Sequence, residues 1–132
     1  MLIEKAAQCF SESHYAIALT GAGISTPSGI PDFRSSHDGL WEKYNPMEVA
    51  SLTAFRLRPE KFYQWFRPLT RTIIEAEPNP AHLALADLEK HGILKEIITQ
   101  NIDGLHQKAG AKVVHEVHGT LRSLTCVSCY SK

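Results

Sequence analysis

Tyr15-Ala16-Ile17-Ala18-Leu19-Thr20-Gly21-Ala22-Gly23 is an apolar run of strand length that ends on two closely spaced glycines. A short buried strand running into Gly-x-Gly is how a phosphate-cradling turn begins: a tight bend, then backbone that can approach a pyrophosphate closely. The full dinucleotide fingerprint asks for a third glycine where this chain has Thr26. On its own the pattern therefore fits a plain strand-to-helix turn as well as a nucleotide site.

Working outward, Leu2, Ile3, Ala6, Ala7 and Phe10 share one helical face upstream of the strand, and Cys9 on that helix reads as a small buried apolar residue. Downstream, Ser28 to Asn45 is rich in Gly, Pro, Asp and Ser and reads as a long loop. Pro59 to Ala76 places Phe62, Trp65, Phe66, Leu69, Ile73 and Ile74 at helical spacing, with Pro68 expected to kink or break the helix. Asn79-Pro80 is a cap followed by proline at the first helical position, opening a helix that ends near His91-Gly92. Ile93–Thr99 and Val113–Val117 read as two more strands, with a short helix from Leu105 to Ala109 between them. Strands alternating with helices predict an α/β fold with a parallel sheet. Residues 38–76 interrupt the alternation as an inserted helical module.

The 132 residues suit one ordinary domain, and 43% hydrophobic against 21% charged residues is a globular balance. Fourteen basic residues match fourteen acidic ones, so there is no basic excess for direct nucleic-acid binding or for an anionic membrane. No stretch reaches the roughly 20 apolar residues of a membrane span, and charges interrupt the start where a signal peptide is apolar. Three cysteines do not form a secreted disulfide framework, and a cytoplasmic location is expected.

Several clusters carry possible chemistry. Phe33-Arg34 combines an aromatic shield with a guanidinium suited to phosphate, although a loop with one solvated charge is the plainer reading. Thr99-Gln100-Asn101-Ile102-Asp103 leaves the second strand at its carboxyl end, where open α/β sheets bind ligands; for Asp103 alone, capping the next helix comes first. His118-Gly119 leaves the third strand at the same edge, and an imidazole there can accept a proton near neutrality. Cys126-Val127-Ser128-Cys129 is half of a tetrahedral zinc site, and by itself a C-x-x-C is equally open to redox chemistry.

The order Gly21-Ala22-Gly23-Ile24-Ser25, Gly29-Ile30-Pro31-Asp32-Phe33-Arg34, Thr99-Gln100-Asn101-Ile102-Asp103, His118-Gly119 and Cys126-x-x-Cys129 resembles the sirtuin family motif for motif. Pro78-Asn79-Pro80-Ala81-His82 resembles that family's link between helical module and sheet. The resemblance implies an NAD-dependent protein-lysine deacylase with a Rossmann-like part at residues 1–37 and 77–120, the helical module at 38–76, and the first half of a small zinc module at 121–132. It implies that Gly21, Ala22, Gly23, Ser25 and Thr26 line the cofactor cleft, Arg34 meets phosphate and Phe33 covers the nicotinamide side. It further implies that Gln100 holds the ribose while Asn101, Ile102 and Asp103 surround the nicotinamide pocket. Asn101 and His118 are the implied catalytic residues, with His118 as general base, and Cys126 and Cys129 the implied zinc ligands. The implied partner is an acyl-lysine protein, whose acyl group passes to ADP-ribose as nicotinamide leaves.

Two departures qualify the resemblance. Sirtuins that prefer acidic acyl groups resemble a Tyr-x-x-Arg pattern, whereas here Tyr63 is followed by Phe66, with Arg67 one position off; a neutral acyl group is expected. The family's second cysteine pair and later cofactor-binding strands have no counterpart in these 132 residues, so the isolated chain is expected to be inactive. The alternatives are an ADP-ribosyltransferase on the same scaffold and a catalytically incomplete NAD-binding fragment.

Overall fold

The computed structural model describes residues 2–32 and 44–132. Phe33, Arg34 and the expected boundary at 37/38 lie outside the described residues. The chain divides into two units, Met1–Gly21 with Pro78–Lys132, and Ala22–Glu77.

The first unit holds helix α1 (Leu2–Glu12) and strand β1 (Ala16–Thr20); after the second unit it resumes with α5 (Pro80–Lys90), β2 (Leu94–Thr99), α6 (Leu105–Lys108) and β3 (Val114–Glu116). The three strands form one parallel sheet in the order β1-β2-β3, the topology expected from the alternation of strands and helices. A register shift between Ala16 and Ile17 leaves Lys95 extra in β2. Beyond it Thr20 pairs with Thr99 and Thr99 with Glu116. The three strand exits, Gly21, Gln100 and Val117, therefore stand side by side.

Helix α5 begins as its sequence dictates. Asn79 Oδ1 accepts from Ala81 N–H at 2.9 Å, His82 Nδ1 accepts in return from Asn79 N–H at 3.4 Å, and Pro80 takes the first position, where an N–H would go unused. At the other end Gly92 adopts φ +72°, the left-handed turn that releases the chain into β2. Ala86 of α5 packs with Leu94, Ile97 and Ala111 against Ala16, Ala18 and Val114, which makes the core of this unit. Leu94, Ile97 and Leu105 are almost wholly buried, each worth about 1.5–3 kcal/mol of transfer free energy.

The opposite face of the sheet corrects one expectation. β1 is not a fully buried strand: Ala16, Ala18 and Thr20 face inward, while Ile17 is 49% and Leu19 70% exposed. Helix α1 likewise buries none of its residues, so Cys9 is exposed rather than buried.

The second unit follows β1 with two 3-10 turns, Ala22–Ile24 and Thr26–Ser28, and continues with α2 (Pro46–Val49), α3 (Leu52–Leu57) and α4 (Pro59–Glu75). The two short helices were not foreseen, yet each has a local cap: Asn45 accepts from Met47 N–H and Ser51 from Ala54 N–H, both at 3.0 Å. α4 runs unbroken through Pro68. Its buried Leu69 and Ile73, with a ladder of Phe55, Phe62, Trp65 and Phe66 rings about 5–6 Å apart, outweigh the one backbone bond that proline removes. Among the described residues no helix is long and apolar enough to cross a membrane.

Candidate functional site

The carboxyl edge of the sheet gathers the expected polar residues of the first unit. Gln100 N–H donates to the Thr20 carbonyl at 3.0 Å, and Val117 N–H to the Thr99 carbonyl at 3.0 Å, so the ladder extends one residue past each strand. Asn101 is held from both ends: its backbone N–H donates to Thr99 Oγ1 at 3.1 Å and its Nδ2 to the Gly21 carbonyl at 3.1 Å. A Cβ added to Gly21 would lie 3.9 Å from Gln100 Nε2, so the first glycine sits directly beside the Gln100 amide.

His118 stands on the turn after β3, exposed, with Nδ1 3.1 Å from the Gln100 carbonyl. A carbonyl only accepts, so Nδ1 carries the proton in the neutral ring and Nε2 is left with the lone pair. That is the tautomer a general base needs. Ile102 and Asp103 are half-buried, and Asp103 Oδ1 accepts from Leu105 N–H at 2.9 Å. Gly104 rather than Asp103 is the N-cap residue of α6, so Asp103 serves the first helical N–H from one residue before the cap, and that bond holds its carboxylate in place.

Behind this edge lies a buried polar cluster that the sequence reading did not single out as functional. Thr20 Oγ1 is 2.9 Å from His106 Nε2, and the His106 ring meets His82 edge-on with centroids 4.9 Å apart. Both rings are buried. Burial pushes each imidazole below its ordinary pKa; the neighbouring His82 lowers His106 further, and the Asp103 carboxylate opposes the shift in both. The only sequence signal for His106 was its place one residue after Leu105 on a short helix.

In the second unit Ala22 and Gly23 lie in the first 3-10 turn, and Ser25 is buried beneath it with its N–H on the Ala22 carbonyl at 3.0 Å. Thr26 Oγ1 donates to the Gly23 carbonyl at 3.0 Å. Where the fingerprint's third glycine is missing, its threonine therefore closes the turn through its hydroxyl. Among the described residues nothing lies within 4 Å of a Cβ built on Gly23, so a ligand has room to approach that backbone.

Cys126 and Cys129 share one exposed turn, closed by Tyr130 N–H on the Cys126 carbonyl at 2.9 Å. Hydrogen bonds from Ser131, whose Oγ is 3.1 Å from Cys129 Sγ, and from Cys126 hold the Cys129 thiol down at about 7. Two sulfurs on one turn, one of them readily deprotonated, suit half of a zinc shell; among the described residues no group of three His, Cys, Asp or Glu converges.

An open parallel sheet with an amide, a carboxylate and an imidazole on its carboxyl edge defines an α/β protein, and in open α/β sheets that edge is where ligands are bound. Residues 21–132 match the Sir2 family model, and the chain belongs to the Sir2, or sirtuin, family. It is 57% identical over 129 residues to an NAD-dependent protein deacetylase of Saccharolobus solfataricus, covering 98% of this chain and 51% of that protein. A solved mutant Sir2 homologue in complex with ADP-ribose superposes with a TM-score of 0.92 at 48% identity, over 97% of this chain and 51% of that one. A Sir2 structure with a p53 peptide and NAD+ does so with a TM-score of 0.88 at 42% identity, over 99% and 51%. The chain thus spans about half the length of the curated relatives it matches.

Proposed function

We propose that this chain supplies the catalytic base and much of the cofactor edge of an NAD-dependent protein-lysine deacylase acting on acyl-lysine proteins, in a polypeptide of its relatives' length. One observation supports the reading: His118 Nδ1 is engaged by the Gln100 carbonyl at 3.1 Å, on the same sheet edge where Asn101 is tied to Gly21, and among the described residues Nε2 has no hydrogen-bond partner. NAD, when bound, supplies the ADP-ribose that accepts the acyl group, with nicotinamide as leaving group.

The residues divide the work. The backbone at Gly21, Ala22 and Gly23, with Ser25 and Thr26, admits the cofactor's phosphates closely, and Arg34 and Phe33 are proposed to add charge and shielding. Gln100 orients a ribose; Asn101, Ile102 and Asp103 form the nicotinamide pocket. His118 Nε2 takes a proton from a ribose hydroxyl, activating it toward the acyl group. Cys126 and Cys129 are proposed as one half of a structural zinc site, and α2 to α4 as the inserted helical module.

The neutral acyl preference has its own support. Phe66 lies half-buried within the aromatic ladder of α4, and Arg67 is exposed on the next face of the helix. An acidic acyl group against Phe66 would lose water without gaining a cation.

The test is product analysis. A protein of full family length carrying this chain, given NAD and an acetyl-lysine peptide, should release nicotinamide, free lysine and acylated ADP-ribose in equal amounts. Nicotinamide release with ADP-ribose attached to protein and the acetyl group retained would establish the ADP-ribosyltransferase reading instead.

A further inference from the structure

The segment from Glu116 to Arg122 carries His118 and is pinned at both ends. Gly119 N–H closes a turn on the Glu116 carbonyl at 3.3 Å, with Gly119 at φ +90°, a conformation that favours glycine. Leu121 N–H then donates to the Ile102 carbonyl at 3.3 Å. Arg122 folds back over the loop, its Nη2 on Glu116 Oε2 at 2.7 Å and its Nε on Thr120 Oγ1 at 3.3 Å. Its stem lies against Gly104, where an added Cβ would be 3.5 Å from Arg122 Cδ. In the amide orientation that satisfies both its ends, Gln107 accepts from Arg122 Nη2 and donates to the Gly104 carbonyl, each at 3.2 Å.

We infer that Arg122 is a positioning residue for His118: by joining Glu116, Thr120 and Gln107 it closes the loop that sets where the imidazole Nε2 stands. The inference rests on the proposed role of His118 as base. The Glu116 side chain is only 11% exposed, and its second oxygen is buried without a hydrogen-bond partner among the described residues. A carboxylate so placed binds its cation tightly, because letting go would leave a desolvated charge. A planar guanidinium reaches three acceptors on two segments at once, which a single ammonium cannot. Among the described residues the other restraints on the loop are the Val117, Gly119 and Leu121 backbone bonds, the Arg122 N–H on Thr120 Oγ1 and the His118–Gln100 contact, at 3.0–3.3 Å. Arg122 thus couples the turn bearing His118 to the Gly104–Gln107 segment, which follows Asn101 and Asp103 directly.

The experiment compares variants of a protein of full family length on acetyl-peptide and NAD. Arg122→Ala should lower kcat by roughly 10–100-fold, the cost of a slightly misplaced base, with KM for NAD within about twofold of the parent. Arg122→Lys, which can still reach Glu116, should recover part of that loss. Because Arg122→Ala alone strands a buried carboxylate, the double variant R122A/E116Q removes both charges; it should fold normally and keep the kcat defect. Parental kcat in the folded double variant, with His118→Ala inactive, overturns the inference while sparing His118. Equal losses in kcat, NAD affinity and melting temperature reduce Arg122 to a structural strut and overturn it too. Full turnover by His118→Ala removes the base itself, and the inference with it.

Discussion

Asn101 Nδ2 donates to the carbonyl oxygen of Gly21 at 3.1 Å, tying together two strand exits that are 80 residues apart in the chain. The bond holds Gly21, the residue that leaves β1, beside Asn101, which follows β2. Asn101→Ala should cost about 1 kcal/mol of stability and lower kcat/KM for NAD roughly tenfold in a protein of full family length. Steady-state kinetics beside thermal melts check this. A lowered melting temperature with unchanged kinetics would leave Asn101 a strut only.

The buried His82–His106 pair predicts an acid-sensitive fold. Both rings have pKa values lowered in the folded state, so below about 6.5 the unfolded chain binds protons that the folded chain refuses. Their contribution is complete above the unfolded pKa and declines as pH falls from there toward the lowered values. Each ring then removes up to about 1.4 kcal/mol per pH unit within that window. Urea unfolding at pH 7.5 and pH 5 should show the loss, and His106→Gln should flatten it. A pH slope unchanged by that substitution would assign the effect elsewhere.

His118→Ala should lower deacylation by roughly 10²–10⁴-fold, the usual contribution of a general base. The ring is exposed and among the described residues hydrogen-bonds Gln100 alone, which implies little change in melting temperature. Near-parental turnover would exclude His118 from proton transfer.

Acetyl should leave matched peptides faster than succinyl. Phe66 rather than a cation follows Tyr63 by three positions on α4, and Phe66→Arg should raise succinyl removal relative to acetyl. Parental enzyme that prefers the succinyl peptide would reverse the assignment.

The 132-residue polypeptide by itself should show no acetyl-peptide turnover and less than one zinc per monomer. Cys126 and Cys129 are two ligands where a closed structural shell needs four, and exposed Ile17 and Leu19 leave one face of β1 open to association. Elemental analysis with light scattering measures both. A monomer holding one zinc per chain would be the contrary result.

Much of the local structure was legible in the sequence because its causes are local. Asn79-Pro80 announced α5, Gly92 ended it, and the runs Tyr15–Thr20, Ile93–Thr99 and Val113–Val117 became parallel strands, one residue shorter at the start of each and also at the end of the last. The placement of Asn101 and His118 on one sheet edge also followed, since residues that leave parallel strands at the carboxyl end become neighbours once the strands pair.

What sequence reading missed depends on neighbours distant in the chain or on packing energy. α4 survives Pro68 because buried Leu69, Ile73 and the stacked rings outweigh one lost hydrogen bond, a balance no local rule supplies. The His82–His106 contact, the return of Arg122 to Glu116 and the exposure of Ile17 and Leu19 were likewise invisible. Residue order alone determined which segments become strand, helix and turn, and which functional groups leave each strand. Only the tertiary structure decided which of those groups are buried, which tautomer His118 holds and which charge steadies its loop, because burial and hydrogen bonding are set by the contacts that folding brings together.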